Sequence, residues 1–174
     1  ACPHCFNTFK NEYVDFGITW EIYHHTEILE KLLNEGKIQP KTSVVDTVTF
    51  HDSCYLGRQN GVYEAPRNIL RQLPMVDVVE MPRNLSRGLC CGAGGGNMFM
   101  EEKGEKRVNV IRAEEAQNTG AQVVATSCPF CVQMFESGVP SVEADETRRI
   151  KVMDVAELLQ ASKATPVETP AEVS

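Results

Sequence analysis

An α/β domain, built as a parallel sheet flanked by helices, is predicted by three observations. Short β-rich runs alternate along the chain with segments of helical spacing, three of those segments stop at glycine or proline, and the central cysteines fall in the loops that follow predicted strands. The strand candidates are Trp20 to His24, Thr47 to His51, Val76 to Met81, Gln122 to Thr126 and Arg149 to Val152. Between them, "TEILEKLLNEG" opens on Thr26 as N-cap and closes on Gly36, "YEAPRNILRQL" runs to Pro74, and "EKRVNVIRAEEAQNTG" stops at Gly120. A further helix is expected after Cys128.

The 174 residues suit one domain with a real core, and the 42% apolar and 24% charged content is that of a soluble globular protein. No run of about 18 apolar residues crosses a bilayer. A net charge of −7 without a Lys/Arg cluster argues against nucleic acid, because phosphate backbones are held by local positive potential. The chain begins at Ala1, and "ACPHC" has neither the basic nor the apolar region of a signal peptide, so it reads as a piece of a longer protein. Seven cysteines without a secretory signal favour a reducing compartment, where thiols serve metals or redox chemistry; the expected location is cytoplasmic.

One internal echo organises the chain. "ACPHCFNTF" resembles "SCPFCVQMF" at Ser127 to Phe135, and each precedes a β-rich run and a leucine-rich helix, which implies a repeat with a period near 126 residues. The expected organisation is the incomplete end of a first copy over 1–36, a complete second copy over 37–162, and a disordered tail rich in Pro, Glu and Thr over 163–174.

Within the second copy, Cys54 is followed by 35 residues, then Cys90 and Cys91, then 36 residues, then Cys128-Pro-Phe-Cys131. In a doubly wound sheet, loops beyond the carboxyl ends of the strands converge on one crevice, so all five thiols can meet. A structural zinc takes four ligands, often as C-x-x-C pairs, and Cys128 with Cys131 fits that pattern. Adjacent residues such as Cys90 and Cys91 tend to point apart and suit two different metal atoms, as an iron–sulfur cluster provides. Gly92, Gly94, Gly95 and Gly96 would let backbone N–H groups approach the negatively charged sulfurs without a Cβ clash. The helix after Cys128 would add its N-terminal amides.

Blander readings stand beside this one. A lone C-x-x-C fits a redox dithiol, single cysteines are often inert core residues, and a glycine run suggests a nucleotide loop. The dinucleotide pattern fails at Asn97 and lies too far from the preceding strand. The histidines suit hydrogen bonding around a metal group better than ligation; His51, three residues before Cys54, is the candidate proton donor. Arg58, Arg83 and Arg87 flank the cysteines and would offset cluster charge.

These residues resemble the CCG, or cysteine-rich, domain found in heterodisulfide reductase and in the iron–sulfur subunits of glycolate oxidase and lactate-utilisation proteins. In that family one Cys, a gap of thirty-odd residues, Cys-Cys-Gly, a similar gap and C-x-x-C normally occur twice. The match covers about Asp46 to Val139, with Cys2 to Gly36 resembling the end of a preceding copy. "CPHCFNTFKNEY" and "EMPRNLSRGLCCGAGGGNMFMEE" look most like the large membrane-associated iron–sulfur oxidoreductases that pass electrons between electron-transfer flavoprotein and quinone. The resemblance implies a non-cubane [4Fe–4S] cluster on Cys54, Cys90, Cys91, Cys128 and Cys131, a C-terminal site that in some relatives has been taken to hold zinc instead, with Cys2 and Cys5 as half of an incomplete second site. Ser53 stands where the family often has proline.

The function expected on this basis is the C-terminal part of an iron–sulfur oxidoreductase. It would take electrons from a partner subunit, an upstream ferredoxin-like domain or electron-transfer flavoprotein, and pass them to a bound acceptor such as a disulfide or quinone. The rest of the protein would hold it at the inner face of the membrane. The rival expectation is a zinc-stabilised interaction module of a redox complex.

Overall fold

The computed structural model describes residues 1–42, 44–100, 104–162 and 165–166. The chain opens with a short helix, α1 (Pro3–Asn7), which continues as irregular helical turns to Phe16, followed by α2 (His25–Asn34) and β1 (Ile38–Gln39). Then come β2 (Thr47–Phe50), α3 (Glu64–Arg71), β3 (Asp77–Val78), α4 (Val108–Gln117), β4 (Val123–Thr126), α5 (Pro129–Val142), β5 (Lys151–Asp154), α6 (Val155–Ala161) and β6 (Thr165–Pro166).

A parallel sheet of order β3-β2-β4-β5 forms the centre, as the alternation of strands and helices predicts. Side chains alternate across it. Val48, Phe50, Val123 and Ala125 point to one face and pack with Ile69 and Leu70 of α3, Leu158 of α6 and Leu33 of α2. Val124 points to the other and packs with Ala113 and Ala116 of α4 and Phe135 and Val139 of α5. Helices α4 and α5 cross closely because Gly138 has no side chain: a Cβ there would stand 2.9 Å from the Asn109 carbonyl oxygen.

The two copies proposed from the sequence share local design. Cys2 precedes Pro3 at the start of α1 as Cys128 precedes Pro129 at the start of α5. At α2, Glu27 accepts the His24 N–H at 2.8 Å; at α6, Glu157 accepts the Asp154 N–H at 2.7 Å. His25 of α2 reaches Asp154 at 3.1 Å, and Leu33 enters the main core, so the first 36 residues pack onto the unit that follows.

Some boundaries differ from expectation. Trp20 to His24 forms no strand; Trp20 is 66% exposed and Tyr23 is also exposed, and β-rich composition without burial does not hold a strand. His24, not Thr26, is the N-cap of α2, and the Thr26 hydroxyl instead meets the His24 ring at 2.8 Å. The strand expected from Arg149 begins two residues late, at Lys151, where the Ile150 N–H is taken by Gln117 Oε1 at 2.9 Å. Of the expected tail, Thr165 and Pro166 pair with Gln39 and Ile38 in a small antiparallel ribbon; the remainder lies outside the described residues.

Candidate metal centre

β2 and β4 are neighbours at the middle of the sheet, and the chain leaves them in opposite directions, to β3 on one side and to β5 on the other. Such a switch point opens a crevice beyond the carboxyl ends of the strands. Cys54 follows β2 and Cys128 follows β4, so both arrive there. Pro129 occupies the first position of α5, where a missing N–H is harmless, and one helical turn returns Cys131 to the side of Cys128.

Cys90 and Cys91 come from the long connection between β3 and α4, whose course is pinned by a buried ion network. The Asp52 carboxylate, two residues before Cys54, takes both Nη1 and Nη2 of Arg67 at 2.7 and 2.8 Å, and Glu80 receives Arg67 from the far side at 2.6 and 2.9 Å. Asp52 also accepts the Leu85 N–H at 2.6 Å, holding Leu85 in the left-handed region with φ 53°. Arg58 donates to the Gly88 carbonyl at 2.7 Å, and Arg83 pairs with Glu115. These two arginines therefore shape the loops that carry the cysteines.

The five sulfurs form an unbroken row. They influence one another in series, Cys54 with Cys90, Cys90 with Cys91, Cys91 with Cys131 and Cys131 with Cys128, and Cys90 packs against the buried group of Cys91, Cys128 and Cys131. The adjacent Cys90 and Cys91 interact with each other, and each also interacts with a different further thiol, Cys90 with Cys54 and Cys91 with Cys131. Positive φ at Gly92 (95°) makes this turn possible, and the Gly92 N–H reaches Cys90 Sγ at 3.3 Å. Gly95 and Gly96 also have positive φ, while a Cβ on Gly94 would make only ordinary contact with Cys90 Sγ, at 3.9 Å.

As free thiols the five divide their charge unevenly. Hydrogen bonds from Cys54 and Cys91, then from the Gly92 and Gly94 amides, hold Cys90 far below the usual thiol range. The same contact to Cys90, with burial, pushes Cys54 well up. Cys91 is drawn down by Cys131, but its contact with Cys90 and burial outweigh this and raise it to about 12. Contact with Cys131, and then the Cys131 and Phe130 amides at the start of α5, bring Cys128 to about 7 against the effect of burial. Contacts with Cys128 and Cys91 raise Cys131.

His51 lies beneath the row. It is 1% exposed, its ring packs edge-on against Phe135, and burial followed by the Arg112 charge lowers its pKa to about 3, so the ring is neutral. One of its ring nitrogens, Cys91 Sγ and Cys131 Sγ all lie within 4.8 Å of one another. Ser53, at the position where proline is common in the resembled family, brings its hydroxyl to 3.6 Å from Cys131 Sγ. On the side of Cys90, the His4 ring meets Tyr55 at a 37° tilt with centroids 4.2 Å apart and Phe130 edge-on at 5.4 Å. His4, Gly94, Gly96, Met98, Phe99 and Phe130 line a cavity of about 300 Å³.

Cys2 and Cys5 stand apart from this arrangement. Cys5 is exposed, and its contact with Cys2 raises its pKa; Cys2 Sγ is 4.0 Å from His4 Nδ1. Arg112, Asp52 and Arg67 are not singled out by the sequence, and Ser53 is noted there only for its place beside Cys54. Only the contiguity of "HDSC" points to Asp52, since a long-range polar pair leaves no periodic trace.

The donor set fits an iron–sulfur cluster: five thiols in one crevice, with backbone amides directed at Cys90 and Cys128, match the needs of several irons and a negatively charged group.

The chain is similar to known proteins described as iron-sulfur-binding oxidoreductases. Residues 48–136 match the model of the cysteine-rich domain family CCG. The chain is 49% identical over 160 residues to the probable iron-sulfur-binding oxidoreductase FadF of Bacillus subtilis, covering 92% of this chain and 22% of the relative. It is 44% identical over 166 residues to the EtfAB:quinone oxidoreductase of Syntrophomonas wolfei, covering 91% of this chain and 23% of the relative. One component of the dihydromethanophenazine:CoB–CoM heterodisulfide reductase of Methanosarcina acetivorans is 37% identical over 171 residues, covering 97% of this chain and 41% of that one. The chain thus spans less than a quarter of the first two relatives.

Proposed function

The chain belongs to the cysteine-rich CCG domain family, and on that premise we propose that it is the redox-relay portion of a larger iron–sulfur oxidoreductase. The observation that carries the reading is the row of five sulfurs at the switch point of the sheet. One tetrahedral ion uses four ligands, and here a fifth thiol belongs to the same row. Cys54, Cys90, Cys91, Cys128 and Cys131 would hold the group, with a non-cubane [4Fe–4S] cluster as the expected form. Such a cluster supplies one-electron storage at a potential set by its charge and hydrogen bonds.

The other residues have separable tasks. The Gly92 and Gly94 amides and the first amides of α5 offset negative charge on Cys90 and Cys128. Asp52 with Arg67 fixes the loop that delivers Cys90 and Cys91. The cavity between His4, Phe99 and Phe130 is the approach for an acceptor such as a disulfide or quinone. Cys2 and Cys5 belong, on this reading, to a second site completed by residues outside this chain. The donor would be a partner subunit, a ferredoxin-like domain or a flavoprotein of the kind named in the Syntrophomonas relative. Among the described residues no helix is long and apolar enough to cross a membrane, and attachment at the cytoplasmic face would come from the rest of a longer protein.

A zinc-binding interaction module is the second reading, favoured by the compact grouping of His51, Cys91 and Cys131. The two are separated by replacing Cys90 and Cys91 singly with serine in anaerobically prepared protein. Each change should lower iron content and alter the electron paramagnetic resonance signal. A variant that keeps both unchanged would reduce the ligand set to four.

A further inference from the structure

Arg112 of α4 is fully buried and reaches under the sulfur row to His51. Its Nε–H donates to His51 Nδ1 at 3.1 Å, while Nη1 donates to the Arg83 carbonyl at 2.8 Å and to Glu115. A guanidinium has only donors, so Nδ1 must offer its lone pair. The single proton of a neutral ring is then on Nε2. That Nε2–H is buried and has no hydrogen-bond partner among the described residues. An orphaned buried donor costs about 1–3 kcal/mol, so a partner is expected where the ring points. The nearby candidates are sulfurs: a ring nitrogen of His51 lies within 4.8 Å of Cys91 Sγ and Cys131 Sγ.

We infer that His51 is a positioning residue that donates its Nε2–H to the Cys91 and Cys131 thiolates, with Arg112 locking the tautomer that makes this possible. The inference rests on the cluster reading above, and assigns His51 hydrogen-bond donation to sulfur in place of proton delivery to an acceptor. Ser53 brings a hydroxyl to 3.6 Å from Cys131 Sγ, from where it can donate to the same sulfur once that is a thiolate. Neither donor transfers its proton. Both favour the state with more negative charge on sulfur, and therefore raise the reduction potential of a group held there. Arg112 contributes positive charge from below; its Nη2 is likewise buried and without a partner among the described residues.

Two measurements on the full chain test this. The first is a redox titration of the iron-loaded protein, read by electron paramagnetic resonance, for the unchanged chain, His51→Gln and His51→Leu. Glutamine can accept from Arg112 through Oε1 and donate through its amide, whereas leucine can do neither. The expected result is a lower midpoint potential in His51→Leu, a smaller shift in His51→Gln and the same iron content in both. Equal potentials in all three overturn the inference, and so does a strong hyperfine coupling from a ¹⁵N-labelled histidine that marks direct ligation to iron. The second is ¹⁵N magnetic resonance of the metal-free reduced chain, in which His51 should show the neutral Nε2–H tautomer. Finding the Nδ1–H tautomer there also overturns it. If His51→Leu fails to fold, the glutamine variant and the tautomer decide. If the unchanged chain takes up no iron, the cluster reading fails, and this inference fails with it; normal iron uptake with equal potentials refutes this inference alone.

Discussion

Replacing Gly92 by alanine probes the turn that places Cys90 and Cys91 side by side. Its φ of 95° lies in the region that residues with a Cβ avoid, a strain of about 1–2 kcal/mol. The new Cβ would also stand 3.1 Å from the Asn109 backbone nitrogen, 3.2 Å from Met134 Cε and 3.4 Å from Val108 Cβ. Met134 can rotate its terminal methyl away, but Asn109 belongs to the first turn of α4 and cannot yield without moving the helix. Overpacking of this kind adds about 1–3 kcal/mol, for a total of roughly 2–5 kcal/mol. Gly95→Ala is the control: it carries a φ of 66° with nothing within 4 Å of the new Cβ, so it bears the strain alone. Gly94→Ala, whose Cβ makes only a 3.9 Å contact, should cost least. Urea unfolding of matched preparations, followed by circular dichroism, should rank the losses Gly92, then Gly95, then Gly94, without a change in slope. If Gly92→Ala unfolds no earlier than Gly95→Ala, the packing of this turn against α4 is not what holds it.

Three further outcomes are expected. Asp52→Asn weakens a buried pair that Glu80 still partly supports, so it should destabilise by about 2–4 kcal/mol and quicken alkylation at Cys90; an unchanged unfolding midpoint would remove Asp52 as the clamp. In the metal-free reduced chain at neutral pH, Cys90 should alkylate faster than Cys54, because its depressed pKa leaves it as thiolate while Cys54 stays protonated; Cys5, exposed, should react whether or not metal is bound, and protection of Cys5 by metal would show that it belongs to a complete site. His24 has its pKa lowered from 6.5 to about 4 by burial and then by His25, so the unfolded chain takes up the proton first as pH falls. Stability from this group is therefore complete above about pH 6.5 and is lost down to about pH 4, by at most about 3 kcal/mol, and His24→Gln should flatten that part of the pH profile.

The central strands and the meeting of the cysteines were legible because both obey local rules. The buried runs at Thr47–Phe50 and Val123–Thr126 carry the β signal, and a parallel sheet then sends the loops after them into one crevice. Trp20 to His24 carried the same composition, yet tertiary burial decided otherwise. The cap of α2 was misassigned because histidine is an unusual cap, although Glu27 three residues on completes the expected box pattern. The Arg112–His51 and Arg67–Asp52 pairs join residues 61 and 15 positions apart. An arginine inside a helix reads as a solvated charge until its neighbours are known.

Quantification of iron, acid-labile sulfide and zinc in anaerobically purified chain tests the central claim most directly. The account predicts brown protein with about four irons per chain and matching sulfide, lost together with protection of Cys54, Cys90, Cys91, Cys128 and Cys131 on chelation. Colourless protein with one zinc and no sulfide would contradict it.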